Sequence, residues 1–368
     1  MKHKRQPGFF DIAERTDKLT KMGDSWVGLN EQINWEAYRP DLNRVHEKER
    51  KSNAGARPID VVLMFKRLVL QQRHNLSDDR IEYQIRDRFS CMRFLGLQLE
   101  DRVPDAKTVA LGHPVALGHP VWLFRERLKE LKLVEVLFAR FHEQLAVQGY
   151  VARAGQMMEA TFVEVPRQRN AREENAKIKA VETPADWQAE SAKPMRRQKD
   201  VDARWTKKNH ESHYGYKNHV NADQAHKRVQ SYAVTDAAVH DSQVFEVLLD
   251  QAVNENDKKR AIYADSAYRS QEKEAQLAAA NIPSQICEKG ARGHPLTEAQ
   301  KASNKNQSKV RARVEHVFGA QAQMGGHIVR TLGLLRAQVN IGMMNLVYNM
   351  VRLGQLLRRD RRSAPAVA

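Results

Sequence analysis

At 368 residues the chain is long enough for two domains, one of them with a substantial core. Its formal net charge of +16 favours a polyanionic partner, nucleic acid or an anionic membrane surface, over a neutral or basic one. Residues 301–368 alone carry 12 Lys and Arg against Glu315 and Asp360, while two distant cysteines, Cys91 and Cys287, exclude a disulfide framework and point to a reducing cytoplasm.

The start, "MKHKRQPGFFDIAERTD", is charged and has no apolar run, so it does not read as a signal peptide. Residues 9–140 read as mostly helical. "PIDVVLMFKRLVLQQRHN" (58–75) opens on a proline suited to the first helical turn and carries Ile59, Val62, Phe65, Leu68 and Val69 on one stripe. "LSDDRIEYQIRDRF" follows, with Ser77 as N-cap and Ile81, Ile85 and Phe89 on one face. Two short helices in a basic setting fit a helix-turn-helix pair or plain helix packing, and pattern alone leaves both open. "VALGHPVALGHP" (109–120) is a perfect tandem hexamer. Two units are too few for a solenoid, and a small duplication in an exposed loop accounts for them better than metal binding by the two histidines. The glycines and prolines of the repeat break any helix running into "WLFRERLKEL".

From 150 the texture changes. "QMMEATFVEV" reads as a strand, with Met157, Glu159, Thr161 and Val163 on one side and Met158, Ala160, Phe162 and Glu164 on the other. Residues 166–211 read as a polar, partly ordered connection. "HYGYKNHVNAD" (213–223) and "RVQSYAVTD" (228–236) form a hairpin. A helix over 241–253 follows, then a buried strand over 260–268 ending in a carboxylate, a helix over 270–282, a short strand at "SQICEK" and a helix over 309–323. "GLLRAQVNIGMMNLVYNMVRLGQLL" (333–357) is interrupted by Arg and Asn and reads as a buried helix, not a membrane span. The order predicts a mixed sheet with helices on its faces, behind a helical N-terminal region.

Three acids stand at distinctive places in this order. Glu159 lies inside the first strand, Asp265 ends the strand after the hairpin, and Glu315 lies on the late helix. If the first and fourth strands are neighbours, Glu159 and Asp265 converge, and a packed helix can bring Glu315 to them. Converging carboxylates repel, and a divalent cation removes that cost. Two such ions about 3.5–4 Å apart suit phosphodiester chemistry.

"MEATFVEVPRQRN", "VTDAAVHDS", "IYADSAYRS" and "RARVEHVFG" together resemble the ordered blocks of DDE transposases from bacterial insertion sequences, of the insertion-sequence-five and insertion-sequence-four type. The resemblance covers roughly residues 50–360 and includes "LSDDRIEYQIRDRFSCMRFLGL". It implies an α/β (α+β), RNase H-like mixed sheet over 150–360, preceded by a helical DNA-binding region over 1–140. It implies Glu159, Asp265 and Glu315 as catalytic acids and ligands of Mg²⁺ or Mn²⁺, two ions in all. Arg167, Arg169, Lys207, Lys208, Arg311 and Arg313 are the expected DNA contacts. His240, Asp241 and His316 would support the acids from behind, though His240 and Asp241 also fit as caps of the next helix. Trp187 and Trp205 are candidates for stacking on bases. The implied partners are double-stranded DNA, as terminal inverted repeats and target, and a second copy or more of the chain on that DNA, in the bacterial cytoplasm at the nucleoid, with no membrane.

The chain departs from the family pattern at three points. The first block normally carries Asp where Glu159 stands. Ser308 and Ala322 replace the Tyr and Lys that often flank the Arg-x-x-x-Glu of the late helix. The tandem hexamer interrupts a segment that relatives run without a break. Glu adds a methylene, and a misplacement near 1 Å can cost about 10²-fold in rate. A copy that binds DNA and cleaves weakly is therefore one open reading, a non-catalytic DNA-binding protein a second, and an RNase H-like nuclease a third.

Overall fold

The computed structural model describes residues 8, 10–47, 59–104, 120–152, 154–168, 170–180, 182, 184–208, 210–250, 260–291 and 293–363. The tandem hexamer and Arg169 lie outside them, apart from Pro120, where a helix begins. The chain divides into two compact units, residues 1–144 with 350–368, and residues 145–349. Residues from 350 onward thus group with the N-terminal unit, where the sequence expectation kept them with the sheet.

The first unit is helical, as its apolar periodicity predicts. Asp60 caps the helix Val61–His74 by accepting from the backbone N–H groups of Val62 and Leu63; Pro58, expected in the first helical turn, lies outside the described residues. Ser77 caps Asp78–Asp87, whose Ile81 and Ile85 are buried. Phe89 opens a separate helix, Phe89–Leu95. Tyr38, Phe65 and Phe94 are fully buried, and Trp35 meets Phe94 edge-on at 5.4 Å. Both cysteines are free and buried.

The second unit is built on one six-stranded sheet. Its strands are β1 (Gln156–Glu164), β2 (Arg204–Lys208), β3 (Glu211–Asp223), β4 (Val229–Asp236), β5 (Ile262–Ala264) and β6 (Ser284–Ile286). β3 pairs antiparallel with β1 on one side and with β4 and β2 on the other, and β1 then pairs parallel with β5 and β5 with β6. This is the expected RNase H-like arrangement, with β1 and β5 as neighbours. Alternation along β1 sorts its side chains. Met158 joins a core with Phe245, Leu248, Ile262, Tyr268, Leu277 and Ile286, which leaves Glu159 on the opposite face.

Residues 166–211 are more structured than their polarity suggests. They include the helix Arg172–Lys179, whose Ile178 is buried, and the strand β2. Buried Asp200 accepts from Tyr216 Oη and from the N–H groups of Asp202, Ala203 and Gly333. Trp187 is buried and donates its indole N–H to Glu174 at 2.7 Å, so it serves packing and not base stacking. Gly215 is the point where β1, β2 and β3 meet, paired with both Glu164 and Arg204. Its φ is +149°, and a Cβ there would lie 2.4 Å from the Val163 carbonyl oxygen, so the sheet requires glycine.

Two late elements differ from their predicted spans. The helix expected over 309–323 is two helices, Glu298–Arg311 and Glu315–Gln323, joined by a 3₁₀ turn at Ala312–Val314. The helix Leu334–Ser363 carries Asn345 and Asn349, both buried and hydrogen-bonded. Among the described residues no helix is long and apolar enough to cross a membrane.

Candidate active site

The parallel seam between β1 and β5 is short: Gln156 pairs with Ile262 and Met157 with Tyr263. Continuing that register sets Asp265 beside Glu159, at the point where β5 leaves the sheet and β1 runs on. A crevice at the carboxyl end of a strand is the usual ligand position in such sheets. Asp265 is half-buried and caps the turn Ser266–Tyr268 by accepting from the Ala267 N–H at 2.6 Å. Glu159 is 6 % exposed. Burial pushes its carboxyl above the usual range; Arg311 opposes that shift and Asp265 adds to it.

The Glu159 carboxylate is engaged by Arg311, the last residue of Glu298–Arg311, in a partly buried ion pair. The helix break that follows sets the phase of Glu315. In one continuous helix Arg311 and Glu315 would share a face; with the 3₁₀ turn between them, Arg311 points at Glu159 while Glu315 and His316 are exposed. Among the described residues no three His, Cys, Asp or Glu side chains lie close enough to hold a metal ion. The expected convergence is therefore reached by Glu159 and Asp265 but not by Glu315. Hard carboxylate oxygens suit a divalent cation, yet a guanidinium holds the position on Glu159. As arranged, these residues do not fit a bound metal.

Among the described residues two buried donors at this centre have no partner, the Arg311 Nε and the Tyr268 hydroxyl. Tyr268 is fully buried. Burial raises its pKa, and the charges of Asp241, Glu159 and Asp265 raise it further. Asp241 does not cap the helix; His240 does, its Nδ1 facing the Ser242 N–H. That helix is also shorter than predicted, a 3₁₀ turn at Asp241–Val244 leading into Phe245–Leu248. Asp241 accepts from Lys217 Nζ at 2.9 Å and lies 3.8 Å from the His219 ring. Burial holds the His219 imidazole down at about 4.

The expected DNA contacts fall into two groups. Arg311 is taken by Glu159, and Arg313 is exposed. Arg167, Lys207 and Lys208 are exposed near β2. Arg167 lies over the Trp205 ring at 5.7 Å and Lys208 over the Phe162 ring at 5.8 Å. Lys217, Tyr268 and His219 were not legible as site residues. The only sequence signals were a lysine inside an otherwise buried strand and a tyrosine three positions after an acid.

The family described as "transposase DDE domain" matches residues 155–350, more than half of the chain. The chain belongs to the DDE transposases. This family consists of polynucleotidyl transferase-type enzymes and generally uses divalent metal ions. A second description, "transposase domain (DUF772)", matches residues 14–111 of the transposase. Among solved structures, the transposase is similar to the piggyBac transposase synaptic complex with hairpin DNA, at 14 % identity and a TM-score of 0.41, over 92 % of this chain and 80 % of that one.

Proposed function

We propose that this transposase binds the terminal inverted repeats of its element, cuts the strand at each end and joins the freed 3′-hydroxyl to target DNA. The observation that carries the proposal is the meeting of Glu159 and Asp265 at the end of the β1–β5 seam, inside the family match. In the cutting step a water oxygen bonds to phosphorus, the bond to the 3′-oxygen breaks, the water's proton passes to a carboxylate, and the leaving 3′-oxygen takes a proton from solvent to become the 3′-hydroxyl. Asp265 is the less buried acid and is free of Arg311, so it is the acceptor in this reading. In the joining step the 3′-hydroxyl takes the water's place and a target strand is broken. Glu315 completes the acid set only if the Ala312–Val314 turn rewinds and swings it inward. Two ends must be held together, so the acting species is a dimer or larger assembly on DNA.

The Glu159–Arg311 pair favours a weakened copy of the enzyme. A divalent ion, Mg²⁺ or Mn²⁺, can reach Glu159 only after Arg311 leaves it. Glu159→Asp withdraws the carboxylate from Arg311 by about one bond length and restores the family's usual residue. Strand cleavage of element-end duplexes by wild type and Glu159→Asp, in Mg²⁺ and in Mn²⁺, tests this. The expected result is weak wild-type cleavage and a clear gain in the variant. Strong wild-type cleavage with no gain sinks the weakened-copy reading, and no cleavage by either protein sinks the transposition chemistry.

A further inference from the structure

The edge strand β2 is built unlike a protective edge. Natural edges carry lysines that repel a second strand, and Lys207 and Lys208 fit that role. Trp205 does not. It is 45 % exposed, its ring is covered by Arg167 at 5.7 Å and tilted against Tyr214 at 4.9 Å, and it stands between Arg204 and the two lysines. An exposed indole on an unpaired edge invites association and does not prevent it. Arg167, Lys207 and Lys208 are exposed and make no ion pair among the described residues, so their charge is uncompensated. Lys208 lies over the ring of Phe162, a residue of β1, the strand that also carries Glu159.

An intact duplex hides the faces of its bases, and an indole cannot stack on them. Unpaired nucleotides offer those faces, and grooves that hold single strands combine aromatic platforms with cations along the backbone. We infer that the β2 edge is a single-strand site, in which an unpaired base of the DNA stacks on Trp205 and Arg167, Lys207 and Lys208 hold the flanking phosphates. The inference rests on the DNA-binding reading above and adds which state of the DNA this edge takes.

The test uses the full-length protein, a blunt duplex, and the same duplex with a five-thymidine overhang, with binding followed by fluorescence anisotropy. Wild type is expected to prefer the overhang by about tenfold, in the range that one base–aromatic stack supplies. Trp205→Ala should remove that preference and leave blunt-duplex affinity unchanged, while Trp205→Tyr should keep most of it. Lys207→Ala with Lys208→Ala should weaken binding and flatten its salt dependence. A 5-iodouracil placed in the overhang should crosslink to Trp205 under light. Equal binding of both DNAs by wild type, or equal weakening of both by Trp205→Ala, overturns the inference and leaves the transposase reading standing. A dimer in DNA-free solution that Trp205→Ala dissolves also overturns it, because the edge then serves a second protein strand. Failure of wild type to bind either DNA defeats the DNA-binding reading itself.

Discussion

Two polar clusters lie two strand positions apart in the second unit and are finished differently. Asn218, opposite Thr161 in the sheet, donates to Gln321 and Asn345, Asn345 donates back to Asn218, and Gln321 donates to Asn345. Every amide nitrogen and oxygen of this triad has a partner. At Glu159 the cluster is incomplete: among the described residues one nitrogen of Arg311 and the Tyr268 hydroxyl have none, and the one guanidinium pairs with Glu159 and not with the neighbouring Asp265. A buried polar group without a partner costs about 1–3 kcal/mol, so a cluster that served stability alone would resemble the amide triad. The open cluster is where the fold accepts a cost, as functional sites do.

Substitutions can break or sharpen this contrast. The largest effect is expected at the open cluster: Asp265→Asn should reduce strand cleavage to background while duplex binding, read by anisotropy, stays at the wild-type level. Asn345→Leu should do the reverse. It orphans the Gln321 amide nitrogen, one N–H of Asn218 and the Asn218 Oδ1, so urea unfolding should show a loss of about 3 kcal/mol, with cleavage per folded molecule unchanged. Equal losses of stability from both variants would dissolve the contrast. Glu159→Asp should raise cleavage by about 10²-fold if the extra methylene is what misplaces the carboxylate.

Acid should act through the buried ring beside the site. Unfolded His219 takes up a proton near its ordinary pKa of about 6.5, whereas the folded ring resists to about 4. Stability is then fully present above 6.5 and is lost as pH falls towards 4, by on the order of 1–2 kcal/mol between pH 7 and 5. Urea midpoints at the two pH values should show this loss, and His219→Gln should lessen it. The smallest expected effect is at Arg311. Arg311→Gln should tighten Mn²⁺ binding in the absence of DNA by about tenfold, measured by calorimetry, since it removes the competing cation from Glu159. No change would mean that the guanidinium does not guard the acid.

The order of the strands other than β2 was legible because each of them carries its own signal. "QMMEATFVEV" alternates, the hairpin runs are bounded by turn residues, and "AIYA" is apolar up to Asp265. The neighbourhood of Glu159 and Asp265 followed from that order. The late helix was not legible in detail. Ala312–Val314 contains no glycine or proline, and nothing in "RARVEH" announces a 3₁₀ turn, so Arg-x-x-x-Glu spacing suggested one shared face where the chain makes two. β2 was hidden for a similar reason. "RWTKK" has no apolar face, and it is a strand because β3 offers it a free edge and Trp205 a partner in Tyr214.

The excursion between β1 and β3 is anchored at both ends to the same few residues. Val165 donates its N–H to the Tyr214 carbonyl on leaving β1, and Arg204 pairs with Gly215 on return. Some forty positions are strung between two fixed points, and neither end touches Glu159 or Asp265. The excursion can lengthen or shrink between its packed points, Ile178, Trp187 and Asp200, without entering the β1–β5 seam that carries the two acids. The length of this excursion and the spacing of the two acids are therefore independent variables of the fold.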